Sequence, residues 1–503
     1  MLLIAAKKIP KRVAPRTISM TSNLTPKLLS EFDSKIFTQD VAIKGVAINA
    51  SNVKEGYLFL ALSGANTHGS NFLETAINNG AAAVLSDIKL NSVIPSFIHP
   101  NPRQIVGDIA SWFYDFPFKS LTAVGITGTN GKTTSASLVK QIWEINEIDS
   151  ALIGTLGVEI GKDIASGTRT TPEADELQKI AFSLQEKGIK HLVMEVSSHA
   201  IDQFRIKGCK YKVVAFTNLS QDHLDYHKTM ENYFQAKAKL FTQDYAEIAV
   251  INIDNEYGKR LFSEVKIPAV SISRNDKTAD WFYEKVNLNS DGYKVEIRSK
   301  VGNVISGNFY LKGDFNLDNL LLSVASTNLL GLSDSKLSNT IEKLKAVSGR
   351  LEQIDVGQKF TALVDYAHTP DAVSRVLKSV RSFTNGRIIG VLGCGGERDA
   401  SKRPLMGSAL LAGSDVAIFT SDNPRGEAVE KILSQMTNGL ELSNKGFVIR
   451  DRKEAIKFAC EQAVPGDCVV LLGKGHEVGQ EVNGVVIPFD DRVELANAIK
   501  QVG

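Results

Sequence analysis

The stretch that most constrains this chain is LTAVGITGTNGKTT, residues 121–134. Its apolar start is followed by a glycine-rich turn, and a helical pattern begins at Lys132 and continues through Ile145. This order of strand, loop and helix is typical of a nucleotide-phosphate site, because glycines let backbone N–H groups close around phosphates and a helix N-terminus favours anions. The stretch predicts that Lys132 reaches the terminal phosphates and that Thr133 or Thr134 offers a hydroxyl to Mg2+.

The match to the general phosphate-loop pattern is incomplete. G-x-x-x-x-G-K-[ST] requires glycine at position 126, where this chain has Ile126, so the shorter GTNGKTT stands in its place. The alternative is a glycine turn that only caps a helix, but the flanking strand and helix favour the phosphate site. The residues predicted to bind ATP here are Gly128, Thr129, Asn130, Gly131, Lys132, Thr133 and Thr134.

Length and charge limit the possible functions. At about 100–200 residues per domain, 503 residues predict three domains. A net charge of +2 gives no electrostatic case for a nucleic-acid or membrane-surface partner. The four cysteines form no CxxC pair, which fits a reducing cytoplasm and argues against disulfides or a zinc site.

In the basic amino-terminal arm the apolar run precedes the charges, which is the wrong order for a secretory signal. We expect either a disordered arm or a true start at Met20.

The order of predicted elements indicates an α/β protein of three domains. Residues 1–104 resemble a small α/β unit that ends near Pro100-Asn101-Pro102. Residues 105–347 alternate strands and helices, which predicts a parallel sheet, with an antiparallel excursion over 280–311, a turn at 289–292, and helices over 317–330 and 335–345. Residues 348–503 predict a Rossmann-like domain.

Four predicted strands of this last domain are each followed by a polar or glycine-rich loop. The loops read DYAHTP, GCGGERD, SDNPRGE and GKGHE. Since ligands gather outside the carboxyl ends of the strands in open α/β sheets, four such loops predict a binding face.

Nine motifs in one order resemble the Mur ligase family of ATP-dependent, amide-forming enzymes of peptidoglycan synthesis. They are GTNGKTT, MEVSSHA, TNLSQDHLDYH, LKGDFNLDN, SGRLE, DYAHTPD, GCGGERD, SDNPRGE and GKGHE. The likeness is greatest to the members that add the third amino acid of the peptide. It implies that a substrate carboxylate attacks the γ-phosphate of ATP, and that an amine then attacks the acyl phosphate.

The resemblance also implies catalytic and metal-binding residues. Lys132 would supply positive charge, while Thr133, Glu195, His223 and a carbamylated Lys237 would hold Mg2+. From the residues alone, a loop histidine is more often a surface residue, and a helix lysine such as Lys237 is more often solvated. Lys239, two positions further along, projects elsewhere on a helix and serves as the control for Lys237.

Further residues match the family's substrate contacts. For ATP these are Asn316, Asn319, Arg350, Asp365 and His368, although the asparagines would also serve as helix caps. For UDP-MurNAc-L-Ala-D-Glu they are Ser51, Thr170, Thr171, Ser197, Gln203 and Arg205. The chain departs from the family at Asn49-Ala50-Ser51, where relatives have Asp-Ser-Arg, so Ser51 alone is assigned there.

The SDNPRGE motif implies the amino acid that is added. In the family that this chain resembles, the DNPR form goes with meso-diaminopimelate. Arg425 could pair with the distal carboxylate of that amino acid, whereas lysine would bring an ammonium to a guanidinium. The rest of the predicted pocket is Arg398, Asp422, Asn423, Pro424, Gly473 and Glu477, with Glu477 suited to the distal ammonium. Taken alone, Asn-Pro is also a common turn.

Three alternatives remain at this stage. L-lysine is the other candidate amino acid. A ligase of folate and glutamate shares the phosphate loop, although DNPR and GKGHE argue against it. A non-catalytic Mur-ligase-like structural protein would use the fold without the chemistry. We expect a cytoplasmic monomer that acts on small molecules, with ATP and Mg2+ and without nucleic acid or membrane.

Overall fold

The computed structural model describes residues 24–64, 67–161, 163–165, 167, 169–289 and 292–502. The amino-terminal arm and residues 290 and 291 of the predicted turn lie outside this part of the chain. The described residues form two compact units. The first contains residues up to 122, 149–192 and 203–209, and the second contains 123–148, 193–202 and 210 onwards.

The first unit opens with a two-stranded antiparallel sheet, followed by a four-stranded parallel sheet. Its elements are β1 (Lys27–Leu28), α1 (Leu29–Asp33), β2 (Ala42–Ile43), β3 (Gly45–Ala47), β4 (Tyr57–Ala61), α2 (Leu73–Asn78), β5 (Ala81–Ser86), β6 (Ser96–Ile98) and α3 (Val106–Phe113). β1 and β2 pair antiparallel, and β3 to β6 pair in sequence order and in parallel. Leu58 and Leu60 of β4 pack in one core cluster, and Phe59 and Ala61 pack in another. Burial on both faces explains the unbroken apolar run of β4.

The middle of the chain carries the phosphate loop. Its elements are β7 (Thr122–Thr127), α4 (Lys132–Ile145), β8 (Ser150–Gly154), β9 (Gly157–Ile160), β10 (Asp163–Ala165), α5 (Ala174–Glu186), β11 (His191–Glu195), α6 (Ser198–Asp202), β12 (Tyr211–Phe216), α7 (Leu224–His227), α8 (Met230–Ala238), β13 (Ala246–Asn252), α9 (Glu256–Glu264), β14 (Ala269–Ser273), β15 (Trp281–Asn289), β16 (Gly292–Ser299), β17 (Val304–Phe309), α10 (Phe315–Leu329) and α11 (Asp334–Ile341).

Within the second unit the middle strands follow the order β11-β7-β12-β13-β14-β15-β16-β17. β7 and β12 to β15 are parallel, and β15 to β17 are antiparallel. The prediction of a parallel sheet with an antiparallel excursion is confirmed. In the first unit β8, β9 and β10 form an antiparallel meander.

One predicted helix was too long. The pattern predicted a helix over 335–345, but α11 ends at Ile341. Lys345 lies outside the helix because its N–H donates to Gln141 Oε1 and its carbonyl accepts from Gln141 Nε2, at 2.8 and 3.1 Å. A tertiary contact therefore replaces the last helical turn.

The carboxyl-terminal part is a six-stranded sheet between two layers of helices. Its elements are β18 (Glu352–Gln353), β19 (Thr361–Asp365), α12 (Pro370–Phe383), β20 (Ile388–Cys394), α13 (Lys402–Gly413), β21 (Val416–Ser421), α14 (Val429–Met436), β22 (Gly446–Val448), α15 (Arg452–Gln462), β23 (Cys468–Leu472), β24 (Gly479–Val482), β25 (Val485–Pro488) and α16 (Asp491–Val502). β24 and β25 form a separate hairpin.

The strand order of the six-stranded sheet is β18-β19-β23-β20-β21-β22, and only β18 pairs antiparallel. The four loops predicted to form a binding face follow β19, β20, β21 and β23. Since these strands are parallel, their carboxyl ends and all four loops lie at one edge. This arrangement confirms the prediction that the four loops share one face.

Candidate active site

The phosphate loop between β7 and α4 is so tightly packed that it requires two glycines. Gly128 has φ +150°, and a Cβ there would lie 1.9 Å from Thr217 Oγ1. Gly131 has φ +88°, and its Cβ would lie 2.5 Å from Asn319 Oδ1. Both conformations are strained for any other residue. The loop thus exposes backbone N–H groups at the start of α4, where the helix dipole favours anions.

Lys132 closes over this loop. Its Nζ donates to the carbonyl oxygens of Gly128 and Thr129, at 2.9 Å each. Burial lowers the pKa of Lys132, while the carboxylates of Glu195 and Asp222 act in the opposite direction. The amine is therefore held beside the turn that would surround a phosphate.

A chain of hydrogen bonds joins the carboxyl-terminal part to the phosphate loop. Arg350 Nη2 donates to Thr133 Oγ1 at 3.0 Å, and that hydroxyl donates to Glu195 Oε2 at 2.9 Å. Glu195 ends β11 and is completely buried. The guanidinium carbon of Arg350 lies 4.6 Å from the ring centroid of Tyr366, within cation–π range. The ring therefore helps to orient the guanidinium.

Lys237 is buried, contrary to what its spacing alone favours. Its side chain is 1% exposed, and its Nζ donates to Gly128 O at 3.0 Å and to Thr127 Oγ1 at 3.4 Å. Burial and the charge of Lys132 hold the pKa of Lys237 well below its usual range. A deprotonated amine is what reaction with CO2 requires. The comparison residue Lys239 is exposed and pairs with Asp202 at 3.1 Å.

His223 lies beside an acidic residue that sequence reasoning missed. The pKa of His223 is lowered, chiefly by burial, so its ring is neutral and has a lone pair to offer a metal. Its Nε2 lies 3.4 Å from Oδ2 of Asp222, and Lys402 and His368 approach the same carboxylate at 3.5 and 3.9 Å. Burial alone would raise the pKa of Asp222, but the Lys402 ammonium and a hydrogen bond from the backbone N–H of His223 hold it below its usual range.

Asp222 therefore joins the segment after β12 to the start of α13. It stands inside the quoted TNLSQDHLDYH motif, whereas its partner Lys402 follows it by 180 residues. Only the folded chain reveals this pairing.

An open cavity lies between the phosphate loop and the first loop of the six-stranded sheet. Of the predicted ATP contacts, it is lined by Asn130, Gly131, Thr134, Asn319, Arg350, Asp365 and His368. Apolar side chains from α10 and α12 line it as well, among them Phe315, Leu322 and Val376. Its mixed polar and apolar lining suits a nucleotide. The predicted residues from both parts of the chain thus meet at one cavity.

Hydrogen bonds hold several of the predicted ATP contacts in place. Asn319 Nδ2 donates to Asn316 Oδ1 at 3.0 Å, and Asn319 Oδ1 accepts from Ser135 at 3.1 Å. Asn319 therefore ties α10 to α4, and Asn316 in turn holds Asn319. Asp365 accepts from the N–H groups of Leu351 and Ala367, at 2.8 Å each, and burial raises its pKa. Burial also lowers the pKa of His368 to about 4.

The residues around Thr133 fit Mg2+. The Thr133 hydroxyl and the buried Glu195 carboxylate are oxygen donors within 2.9 Å of each other, at the mouth of the phosphate loop. Mg2+ prefers such oxygens, together with those of substrate phosphates. Among the described residues, no three His, Cys, Asp or Glu side chains gather into a metal-binding cluster.

The loops after β21 and β23 bring most of the predicted amino-acid pocket together. Asn423 Nδ2 donates to Glu477 Oε2 at 2.8 Å. A Cβ on Gly473, which has φ +108°, would lie 2.7 Å from Asp422 Oδ2. Pro424 is buried, and its carbonyl accepts from the N–H of Glu427 at 3.0 Å. Asp422, Asn423, Gly473 and Glu477 thus line one small region of the sheet edge.

Arg425 already has an acidic partner. Its Nε lies 3.1 Å from Oε2 of Glu481 on β24, and its Nη1 donates to Gly396 O at 2.8 Å. Arg398 is exposed on the neighbouring loop, close to Gly395. Glu481, 56 residues after Arg425, belongs to a hairpin that sequence reasoning did not associate with the pocket. Glu481 and the Gly396 carbonyl together occupy two of the five N–H donors of Arg425.

Three of the residues assigned to UDP-MurNAc-L-Ala-D-Glu meet in the first unit. Arg205 donates to Gln203 Oε1 at 2.6 Å and to Thr171 O at 3.4 Å. Arg205 Nε also lies 3.2 Å from Glu173, an acidic residue that sequence reasoning missed. The hydroxyl of the neighbouring Thr170 lies 3.2 Å from that of Thr155.

The other two residues of this set lie elsewhere. Ser51 is exposed on a short turn, where its N–H donates to Asn49 Oδ1 at 3.0 Å. Ser197 belongs to the second unit and follows β11, where its Oγ accepts from the N–H of Ala200 at 3.2 Å. Their assignments stay predictions.

Comparison with known proteins assigns the chain to a family. Residues 126–327 match the Mur ligase middle domain, residues 349–475 match the glutamate ligase domain of Mur ligases, and residues 42–109 match the catalytic domain of the Mur ligase family. A UDP-N-acetylmuramoyl-L-alanyl-D-glutamate–2,6-diaminopimelate ligase from Streptomyces coelicolor is 39% identical over 97% of this chain and 98% of its own length. The chain belongs to the Mur ligase family. A ligase of the same name from Aquifex aeolicus is 41% identical over 92% of this chain and 93% of its own length.

Solved structures of Mur ligases share the fold. A UDP-N-acetylmuramoyl-L-alanyl-D-glutamate–2,6-diaminopimelate ligase superposes with a TM-score of 0.67 at 34% identity, over 95% of this chain and 99% of the other. The MurF ligase of Thermotoga maritima in complex with ADP gives 0.61 at 18% identity, over 91% and 96%. The predicted fold class, a three-domain α/β protein, is confirmed. None of the helices in the described ranges combines the length and apolar character needed to cross a membrane.

Proposed function

We propose that this Mur ligase joins meso-diaminopimelate to UDP-MurNAc-L-Ala-D-Glu, with conversion of ATP to ADP and phosphate. The observation that carries the proposal is the cavity where Asn130 and Gly131 of the phosphate loop face Arg350, Asp365 and His368. The amino-acid pocket opens from loops at the same edge of the six-stranded sheet. The relatives that match nearly the whole chain carry the name of this activity.

The first chemical step would take place beside the phosphate loop. A carboxylate of the UDP substrate attacks the γ-phosphorus of ATP, the bond from that phosphorus to the β-phosphate oxygen breaks, and ADP leaves. Both reactants are anions, so the barrier falls mainly through positioning and positive charge. Lys132, beside the Gly128 carbonyl, and Arg350, beside the Thr133 hydroxyl, would supply that charge.

The second step would complete the amide bond. The amine of the amino acid attacks the acyl carbonyl, phosphate leaves, and the amine loses a proton. The loops that hold Asn423, Arg425 and Glu477 would orient the far end of meso-diaminopimelate, with the guanidinium at its carboxylate and the Glu477 carboxylate at its ammonium. This pairing favours meso-diaminopimelate over L-lysine, which lacks the distal carboxylate.

The metal-binding roles form part of the same proposal. Thr133 and Glu195 would hold one Mg2+, and His223 with carbamylated Lys237 would hold another. Bound Mg2+ supplies positive charge that offsets the repulsion between the reacting anions. The burial of Lys237 and the lowering of its pKa, which favours the neutral amine, support its carbamylation. Incorporation of isotope-labelled bicarbonate at Lys237 is the expected result.

We further propose a division into domains at 1–104, 105–347 and 348–503, for binding of the UDP substrate, ATP and the amino acid respectively. The matches at 42–109, 126–327 and 349–475 support these limits. We propose that Thr170, Thr171, Ser197, Gln203 and Arg205 contact the UDP substrate, and that the protein acts as a monomer in the cytoplasm, where ATP is available.

Phosphate release by the purified protein tests this function. The reactions contain ATP, Mg2+ and UDP-MurNAc-L-Ala-D-Glu, with meso-diaminopimelate or L-lysine supplied separately. We expect release with meso-diaminopimelate only. Release with L-lysine only would support ligase activity but refute the role proposed for Arg425 in selecting the amino acid. If folded protein releases phosphate with neither amino acid, the proposed ligase activity is refuted and a structural role is favoured.

A further inference from the structure

Lys474 is a buried lysine at the amino-acid pocket to which the reaction above gives no role. Its side chain is 0% exposed, and it lies between Gly473 and Gly475 in the loop after β23. Its Nζ donates to Asn423 Oδ1 at 3.1 Å, to Glu477 Oε2 at 3.1 Å and to Gly479 O at 2.7 Å. A lysine ammonium has three donors and no acceptor, so each of its hydrogens has one partner here.

We propose that Lys474 is a positioning residue that sets the orientation of Asn423 and Glu477 for recognition of the amino-acid substrate. The proposal rests on the proposed function, in which both of these residues contact that substrate.

The hydrogen bonds around Asn423 determine which way its amide faces. Its Oδ1 accepts from Lys474 Nζ and also from the backbone N–H of Glu481, at 3.0 Å. Both groups only donate, so they require the amide oxygen on their side. The amide nitrogen must then face Glu477 and the pocket, where it donates to Oε2 at 2.8 Å. One hydrogen on Nδ2 is left to donate to a carboxylate of the substrate.

Glu477 is fixed from the same side. Its Oε2 receives both Lys474 and Asn423, while the side chain remains 31% exposed. We assign the other oxygen, Oε1, to the distal ammonium of the amino acid. The charge of Lys474 needs a counter-ion because an isolated ammonium is costly to bury. Lys474 and Glu477 therefore hold each other in place before the substrate arrives.

Replacement of Lys474 by methionine tests the proposal. Methionine is unbranched and apolar, so it fills the buried space without leaving a charge, but it removes one of the two hydrogen bonds that orient the amide of Asn423 and the ammonium that holds Glu477. Loss of hydrogen bonds to charged groups predicts a KM for the amino acid about 10- to 100-fold higher. The KM for ATP should not change. If Lys474→Met does not fold, Lys474→Gln, which keeps a donor, replaces it and should give a smaller rise in the same direction.

Lys453→Met is the matched control. Lys453 lies on α15 of the same part of the chain, its side chain is 63% exposed, and it pairs with Glu494 at 3.3 Å. Its removal should leave both KM values at those of the unmodified enzyme.

A double-mutant cycle separates positioning from a general structural role. If Lys474 acts through Glu477, Lys474→Met should raise the KM for the amino acid strongly in the wild type and little in the Glu477→Gln background. Equal effects in the two backgrounds, or an unchanged KM with lower thermal stability, would overturn the proposal. Unmodified protein that releases no phosphate would overturn the proposed function and this inference with it. An active wild type with an unaffected Lys474→Met variant would overturn this inference alone.

Discussion

Replacement of Lys237 by methionine should remove activity while leaving the fold intact. Lys237 is 1% exposed, and its stronger hydrogen bond, to Gly128 O at 3.0 Å, ends on a carbonyl that also accepts from Lys132 at 2.9 Å. That carbonyl keeps a partner in the variant. Methionine has similar length and removes a buried amine. We therefore expect the free energy of unfolding to change by no more than about 1 kcal/mol.

The expected effect on catalysis is far larger. Loss of a group that stabilises charge in the transition state typically lowers kcat by about 100- to 1,000-fold, which corresponds to roughly 3–4 kcal/mol. The assays are phosphate release at saturating substrates and denaturant unfolding of the same preparation. Lys239→Met is the control, because Lys239 is 55% exposed and pairs with Asp202 on the surface. Its activity should match that of the wild type.

Two results would refute this reasoning. A Lys237→Met variant with the kcat of the wild type would show that the buried amine has no part in the chemistry. A variant that loses stability in proportion to its activity would show that Lys237 mainly supports the phosphate loop.

Three further substitutions test other parts of the structure. Arg350→Met should lower kcat by about 100-fold or more, because it removes positive charge beside Thr133, and a change confined to the KM for ATP would contradict this role. Asp491→Ala should lower the free energy of unfolding by about 3–5 kcal/mol, since it leaves the fully buried Arg452 without its carboxylate, and denaturant unfolding measures this. Burial raises the pKa of Asp175 to about 6, so the folded state binds its proton more tightly and loses that stability as pH rises through 6. The stability of Asp175→Asn relative to wild type should therefore rise by roughly 3 kcal/mol between about pH 4 and pH 7. A stability difference between the two proteins that does not change with pH would contradict the raised pKa of the Asp175 carboxyl.

Local patterns of the sequence predicted the elements well where one signal determined them. The turn before Lys132 and the helical period after it fix α4 as Lys132–Ile145, because a glycine conformation and an amphipathic period are both properties of nearby residues. The end of α11 was not predictable in this way. It depends on hydrogen bonds from Gln141, more than 190 residues before Ile341.

The same distinction holds at the site. Motif resemblance pointed to Asn423, Arg425 and Glu477, but it could not reveal what holds them. Lys474 stands in the GKGHE motif beside residues that were assigned, and its role became visible only when its three hydrogen-bond partners were seen together. Glu481 lies on a hairpin that follows the motif and carries no signal of its own. Long-range partners of this kind are set by the packing of the whole sheet edge.

The most direct test of the proposed function is the identity of the product. Purified protein is incubated with ATP, Mg2+, UDP-MurNAc-L-Ala-D-Glu and an equimolar mixture of meso-diaminopimelate and L-lysine, and the nucleotide sugars are separated and analysed by mass spectrometry. We expect a single new species whose mass corresponds to the substrate joined to diaminopimelate with loss of water, formed only when ATP is present. A lysine-containing product, or unchanged substrate from folded protein, would contradict the account.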